Sequence, residues 1–168
     1  MSLDSLHDLY VTELKDLHSA ERQLLKALPR MAKAAESPDL RTAFETHLKE
    51  TEKHVERLDR IFRELDKKGT GKKCVGMEGL VEEGKEMMQE EGEAAVLDAA
   101  LIAAAQRVEH YEIAAYGTTR NFAELLGYSE AARLLQQTLD EEEATDRKLT
   151  ELAEAGINSA AVAVGAEA

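Results

Sequence analysis

The sequence predicts an all-α protein, a bundle of four long helices in which the connection between the second and third carries a short extra helix. Three observations predict it. Ala, Leu, Glu, Lys, Arg and Gln dominate the 168 residues and proline occurs only twice, a composition that suits long helices. Apolar residues recur at helical spacing over four long stretches. Those stretches are divided by Ser, Pro and Gly punctuation rather than by the alternation of strands. A chain of this length makes one domain with a substantial core; the reading places it at residues 1–156, followed by a flexible tail at 157–168.

The first helix is expected from about Leu3 to Ala34, with Ser2 as its cap and Asp4 and Asp8 at the positive end of its dipole. Its inward stripe runs through Leu3, Leu6, Tyr10, Leu14, Leu17, Glu21, Leu24, Leu28 and Met31. Pro29 removes one backbone donor, which predicts a kink near the far end. Ser37-Pro38-Asp39 opens the second helix as an N-cap followed by proline at the first helical position. Its stripe carries Phe44, His47, Leu48, Thr51, His54, Val55, Leu58, Ile61, Phe62 and Leu65, and Lys67-Lys68-Gly69-Thr70-Gly71 is expected to end it.

Between Lys72 and about Gly92 the pattern weakens around Cys74 and the amphipathic run MEGLVEEGKEMMQE, which reads as a crossover with a small helix. The third long helix runs from about Glu93 to Leu126, and Gly127 supplies its stop. Ser129 is expected to cap the fourth, whose stripe is Leu134, Leu135, Thr138, Leu139, Glu142, Asp146, Leu149 and Leu152 and whose stop is Gly156. The remaining INSAAVAVGAEA has no strong pattern and is expected to fray.

Charge narrows the function. A net charge of −13 argues against nucleic-acid binding, which needs clustered Lys and Arg, and against an anionic membrane surface. No stretch reads as a membrane span or a signal peptide, and a single cysteine, Cys74, makes no internal disulfide. The expectation is a soluble, cytoplasmic protein in which Cys74 is packing or a loop thiol.

The stripes hold acid where they ought to be apolar. Glu109 and Glu112 share one face of the third helix between Leu101, Ala105, Val108, Ala115, Tyr116 and Thr119. Glu21 interrupts the first helix, His47 with Glu50 the second, and Glu142 with Asp146 the fourth. Antiparallel packing brings these middles to one level. Buried carboxylates are costly unless a cation lies among them, and carboxylate with imidazole at a bundle centre is the donor set of paired first-row metal ions. The metal candidates are therefore Glu21, His47, Glu50, Glu109, Glu112, Glu142 and Asp146, with His54 a turn away and placed last.

The usual template for such centres adds a Glu-x-x-His motif from each of two helices. This chain has His47-x-x-Glu50, Glu109-x-x-Glu112 and Glu142-x-x-x-Asp146 instead, and no Glu-x-x-His. Six carboxylates also exceed the four positive charges of two divalent ions, so some must be protonated, bonded to His or solvated. Tyr116, one turn from Glu112, reads as a core aromatic with its hydroxyl satisfied.

Near-complete runs add a resemblance. KCVGMEGLVEE (73–83), DAALIAAAQRVEHYEIAAYGT (98–118), TLDEEEATDRKLTELA (138–153), SAERQLLKALPRM (19–31) and HLKETEKHVERL (47–58) are similar to the YciE/YciF stress-response family of ferritin-like proteins, nearest its YciF branch. The resemblance implies a ferritin-like four-helix bundle with a crossover, a homodimer, and polar core positions at Glu21, His47, Glu50, Glu109, Glu112, Glu142 and Asp146. It also implies that position 54 commonly holds a residue other than His.

Two functional expectations follow, from different classes. In the first, two iron ions (alternatively manganese or another divalent metal) serve a peroxidase- or ferroxidase-like oxidoreductase that uses oxygen or peroxide, with Glu109 or Glu112 bridging and His47 and Glu142 terminal. In the second, a metal-free dimeric scaffold keeps its acids paired with His47, His54 and Arg107 or protonated. DNA protection by coating is disfavoured by the charge and the lack of a basic tail.

Overall fold

The computed structural model describes residues 3–165, and no strand occurs among them. Four long helices form the bundle: α1 (Leu6–Ala34), α2 (Pro38–Glu64), α4 (Ala94–Leu125) and α5 (Ser129–Leu152). A shorter α3 (Val75–Met87) lies in the crossover, and α6 (Asn158–Gly165) follows α5. Among the described residues, no helix is long and apolar enough to cross a membrane.

The caps show why the helices begin where they do. Ser5 accepts a bond from the Asp8 amide and starts α1, satisfying one of the orphan donors of its first turn. The expected cap Ser2 lies outside the described residues, and Leu3 stands before the helix and is largely exposed. Ser37 caps α2 as expected, accepting from the Leu40 amide. The chain between α1 and α2 is further fixed by Asp98 of α4, whose two oxygens accept the Glu36 and Ser37 amides at 2.9 and 2.7 Å. Helical structure continues through Pro29 to Ala34.

Three expected boundaries are corrected. α2 stops at Leu65 and Asp66, with φ of +50° at Asp66, so an Asp takes the left-handed turn expected of Gly69 or Gly71; Asp tolerates that conformation better than most residues. Ser129 is the first residue of α5, not its cap; Tyr128 precedes it and makes no side-chain capping bond. Gly156 does not end the last helix either. It sits in a π-helical turn, Ala153–Ile157, through which the chain continues into α6. The apolar Ala153 and Ile157 pack on the core there, holding on the bundle a segment whose pattern is too weak to read. Gly127 is the stop it was expected to be, at φ +78°.

Packing follows from the stripes. α1 pairs with α2 and α4 with α5 as helical hairpins, and the two hairpins meet through α1 against α4 and α2 against α5. Tyr10, Leu14 and Leu17 of α1 share one apolar cluster with Tyr116 and Ala123 of α4, while Leu28 and Met31 share another with Leu101 and Ala105. Neighbouring helices are therefore antiparallel, so α2 and α4 run the same way and their connection must travel back along the bundle. α3 makes that return, packed on α1 and α4. A side chain at Gly76 would put its Cβ 2.9 Å from the Tyr111 ring, so only glycine lets α3 approach this closely.

The two clusters cap opposite ends of the bundle. Each fully buried Leu or Phe in them contributes about 1.5–3 kcal/mol. Between them, at mid-height, lies the polar centre.

Candidate metal centre

Every long helix brings at least one ionisable side chain to this level. Glu21, His47, His54, Glu109, Glu112 and Glu142 are all buried, among Leu17, Leu24, Leu58, Val108 and Tyr116. They form two groups with donor atoms within 4.8 Å of one another: His47, Glu109, Glu112 and Glu142, and Glu21, His54 and Glu142. Glu142 belongs to both. The geometry thus gives the shared position to α5, where the sequence pointed to Glu109 or Glu112 of α4.

The two imidazoles are oriented alike. His47 Nδ1 faces outward, 3.2 Å from Thr145 Oγ1 and 3.5 Å from Glu50 Oε2. Its Nε2 faces inward, 3.4 Å from Glu109 Oε1 and 3.6 Å from Glu142 Oε2, without a hydrogen bond to either. His54 Nε2 lies 2.8 Å from Glu141 Oε2, and Arg57 holds that carboxylate with two bonds of 2.6 and 2.8 Å. His54 Nδ1 then faces Glu142 and Glu21 at 3.0 and 3.3 Å, again with no hydrogen bond formed. An imidazole with one nitrogen fixed by an outer partner and the other presented inward has the arrangement typical of metal ligands.

Six carboxylate oxygens in the centre are also left without a hydrogen bond: Glu21 Oε2, Glu109 Oε2, both oxygens of Glu112 and both of Glu142. Glu21 Oε1 accepts from the Tyr116 hydroxyl, which satisfies that hydroxyl as the sequence reading expected. Native proteins leave few buried polar groups unpaired; here they are concentrated at one place.

Charge explains how the centre is balanced. Burial holds the Glu112 carboxyl well above the usual range, with Glu142, Glu21 and Glu109 adding to it. Burial does the same for Glu109, against the opposing pull of His47. Burial alone would also lift Glu142, but His47 and His54 outweigh it and hold that carboxylate ionised. Burial works against the His47 cation, yet Glu109, Glu142 and Glu50 push it up to about 9. His54 is likewise opposed by burial and carried up to about 12 by Glu21, Glu141 and Glu142. Glu141, partly buried, is drawn down to about 2 by Arg57 and His54.

The candidates read from the sequence divide at this point. Glu21, His47, Glu109, Glu112 and Glu142 are brought together. Glu50 and Asp146 are not: their side chains keep 29% and 21% of their exposure, and neither joins a group. Asp146 instead accepts from Gln106 Nε2 at 3.0 Å and lies 3.4 Å from His110 Nε2. His54, placed last from the sequence, is fully buried in the second group. Its stripe position was the signal, since it is one turn past Thr51 and two past His47. Arg107 does not enter the centre; it is exposed, 3.9 Å from Glu83.

Cys74 proves to be structural. Its sulfur accepts from the Met77 amide at the start of α3 and lies 3.0 Å from Asp16 Oδ2 and 2.9 Å from the Tyr111 hydroxyl, which donates to the same Asp16 oxygen. Burial and the Asp16 carboxylate keep the thiol above its ordinary range despite Tyr111 and the Met77 amide, so it is a poor nucleophile.

Comparison with known proteins agrees with this architecture. The family model described as "Domain of unknown function (DUF892)" matches residues 5–162. Protein YciF of Escherichia coli K12 is 48% identical over 162 residues, which cover 96% of this chain and 98% of the relative. The crystal structure of that E. coli stress protein superimposes with a TM-score of 0.89, covering 92% of this chain and 98% of the other at 49% identity. The YcfI structure from Rhodopseudomonas palustris has a TM-score of 0.86 at 43% identity, covering 89% and 95%. By sequence along almost its whole length and by fold, the chain belongs to the DUF892 family, alongside proteins such as YciF.

Proposed function

We propose that this is a ferritin-like protein that holds two divalent metal ions, iron foremost, and uses oxygen or peroxide as oxidant in a bacterial stress response. The observation that carries the proposal is the set of eight inward atoms without a hydrogen bond, six carboxylate oxygens with His47 Nε2 and His54 Nδ1. An unsatisfied buried polar group costs about 1–3 kcal/mol. Ion pairing with His54 and His47 offsets part of that for Glu142, whereas the two oxygens of Glu112 have no such pair. Protons on Glu109 and Glu112 relieve part of that cost; cations relieve all of it.

The donor set fits the group. His47, Glu109, Glu112 and Glu142 would hold one ion, and Glu21, His54 and the shared Glu142 the other. Four buried carboxylates match the charge of two divalent ions once both imidazoles are neutral, which removes the excess that six carboxylates posed. When bound, iron supplies the one-electron redox chemistry that reducing peroxide or oxygen requires. The chain supplies the rest. Glu141 and Thr145 fix the two rings, the apolar clusters exclude water from above and below, and the Tyr116 hydroxyl holds one Glu21 oxygen so that the other faces inward.

The test is metal content. Protein purified without chelator, or loaded anaerobically with Fe(II), should carry two ions per chain and turn over peroxide in an iron-dependent manner. Failure to bind stoichiometric metal would overturn the proposal and leave the metal-free scaffold.

A further inference from the structure

We propose that the cleft between α2 and α5 is the way in for divalent cations, and that Glu50 passes them to the centre instead of serving as a resident ligand. The inference rests on the di-metal reading and adds a route to it. A cavity of about 450 Å³ opens there, walled by Phe44, Thr46, Ala144 and Thr145 and reaching Glu109 at its floor. Glu109 is buried, and its Oε2 has no partner. Glu50 lines the same cleft at intermediate depth, 29% exposed, with Oε2 3.5 Å from His47 Nδ1. Among the described residues it makes no ion pair with a Lys or Arg.

The far pole of the centre is closed by comparison. Glu21 and His54 are fully buried. Tyr116 occupies one Glu21 oxygen, and the Glu141–Arg57 pair lies across the outer nitrogen of His54. A hydrated cation therefore meets the His47–Glu109 side first. A divalent ion gives up its water in steps, and a partly exposed carboxylate offers an oxygen at the depth where that begins. Glu50 above Glu109 makes two such steps. Lys148 also lines the cleft, but it is exposed and lies 3.7 Å from Glu151, which balances its charge at the rim. Asp39 and Glu50 on the lining and a net charge of −13 concentrate cations at such a mouth.

Co(II) is a suitable probe, because its visible absorption reports binding without turnover. Chelator-stripped full-length protein is mixed with Co(II) by stopped flow, and equilibrium dialysis gives stoichiometry and affinity. Glu50→Gln should load about tenfold more slowly, a typical effect of focusing charge on association, yet still bind two Co(II) per chain. Ala144→Trp, at an exposed position on the cleft wall, should slow loading without changing any charge. Glu143→Gln, an exposed carboxylate 3.8 Å from Arg147 and outside the cleft, should load at the wild-type rate. Wild-type loading rates in both Glu50→Gln and Ala144→Trp would overturn the route while leaving the di-metal reading. Faster release and lost stoichiometry in Glu50→Gln would overturn it by making Glu50 a ligand. A wild-type protein that takes up no Co(II) would overturn both.

Discussion

Replacing Glu112 and Glu142 by Gln, one at a time and in metal-free protein, should give different outcomes although both carboxyls are fully buried. Glu112 makes no hydrogen bond through either oxygen, and burial keeps it protonated. Gln is a neutral group of nearly the same size, so Glu112→Gln should change stability by less than about 1 kcal/mol. Glu142 is ionised and lies 3.0 Å from His54 Nδ1 and 3.6 Å from His47 Nε2. Removing that charge breaks a buried ion pair, which costs about 3–5 kcal/mol. The lower end applies because Glu109 still faces His47, and Glu21 and Glu141 still face His54. A loss of about 3 kcal/mol in a chain of this size lowers Tm by roughly 6–12 °C. Thermal and urea unfolding in excess chelator at neutral pH measures both variants. Equal drops, or a larger one for Glu112→Gln, would refute the assignment of the proton to Glu112 and the charge to Glu142.

The metal itself supplies further outcomes. Loading with Fe(II) at about a hundredfold over Kd should stabilise the fold by about 2.7 kcal/mol per independent site, a rise in Tm that chelator reverses. Loading should also release protons, because burial favours the protonated forms of Glu109 and Glu112 and His47, at about 9, is cationic at neutral pH. Apparent affinity should therefore fall as pH falls, and calorimetry in two buffers of different ionisation enthalpy counts the protons. Arg57→Ala should weaken the ion on the Glu21–His54 side by about 10–100-fold through its hold on Glu141, which fixes His54. Dialysis should then show one ion retained and one loosened. Glu142→Gln should loosen both ions, whereas Glu112→Gln should loosen only the one shared with His47.

Much of this protein could be read from its sequence because helix periodicity is local. The spacing of Leu14, Leu17, Leu24 and Leu28 determines which face of α1 is buried without reference to any other helix. The same spacing puts Glu21 on that face. Glu109 and Glu112 could be found for the same reason, and Ser37-Pro38 and Gly127 gave local stop and start signals that the fold uses as expected. The boundary at Gly156 failed because it was decided by partners at a distance. Asp66 takes the turn ahead of Gly69, and the helix runs past Gly156 because Ala153 and Ile157 find core to pack on.

The composition of the centre was only half local. Periodicity sets the face a side chain occupies, but the depth it reaches depends on how neighbouring helices rotate and how closely they approach. Glu50 stands on the shoulder of its stripe and Asp146 on the stripe itself, yet the packing of the helices leaves both partly in water. His54 sits on its stripe, and the same packing closes over it and turns its Nδ1 toward Glu21 and Glu142. Sequence alone therefore determined four amphipathic helices with acid at mid-height. Tertiary structure decided which acids lose their water, which one is shared, and which histidines face them, because desolvation and donor geometry are properties of the assembled bundle and not of any one helix.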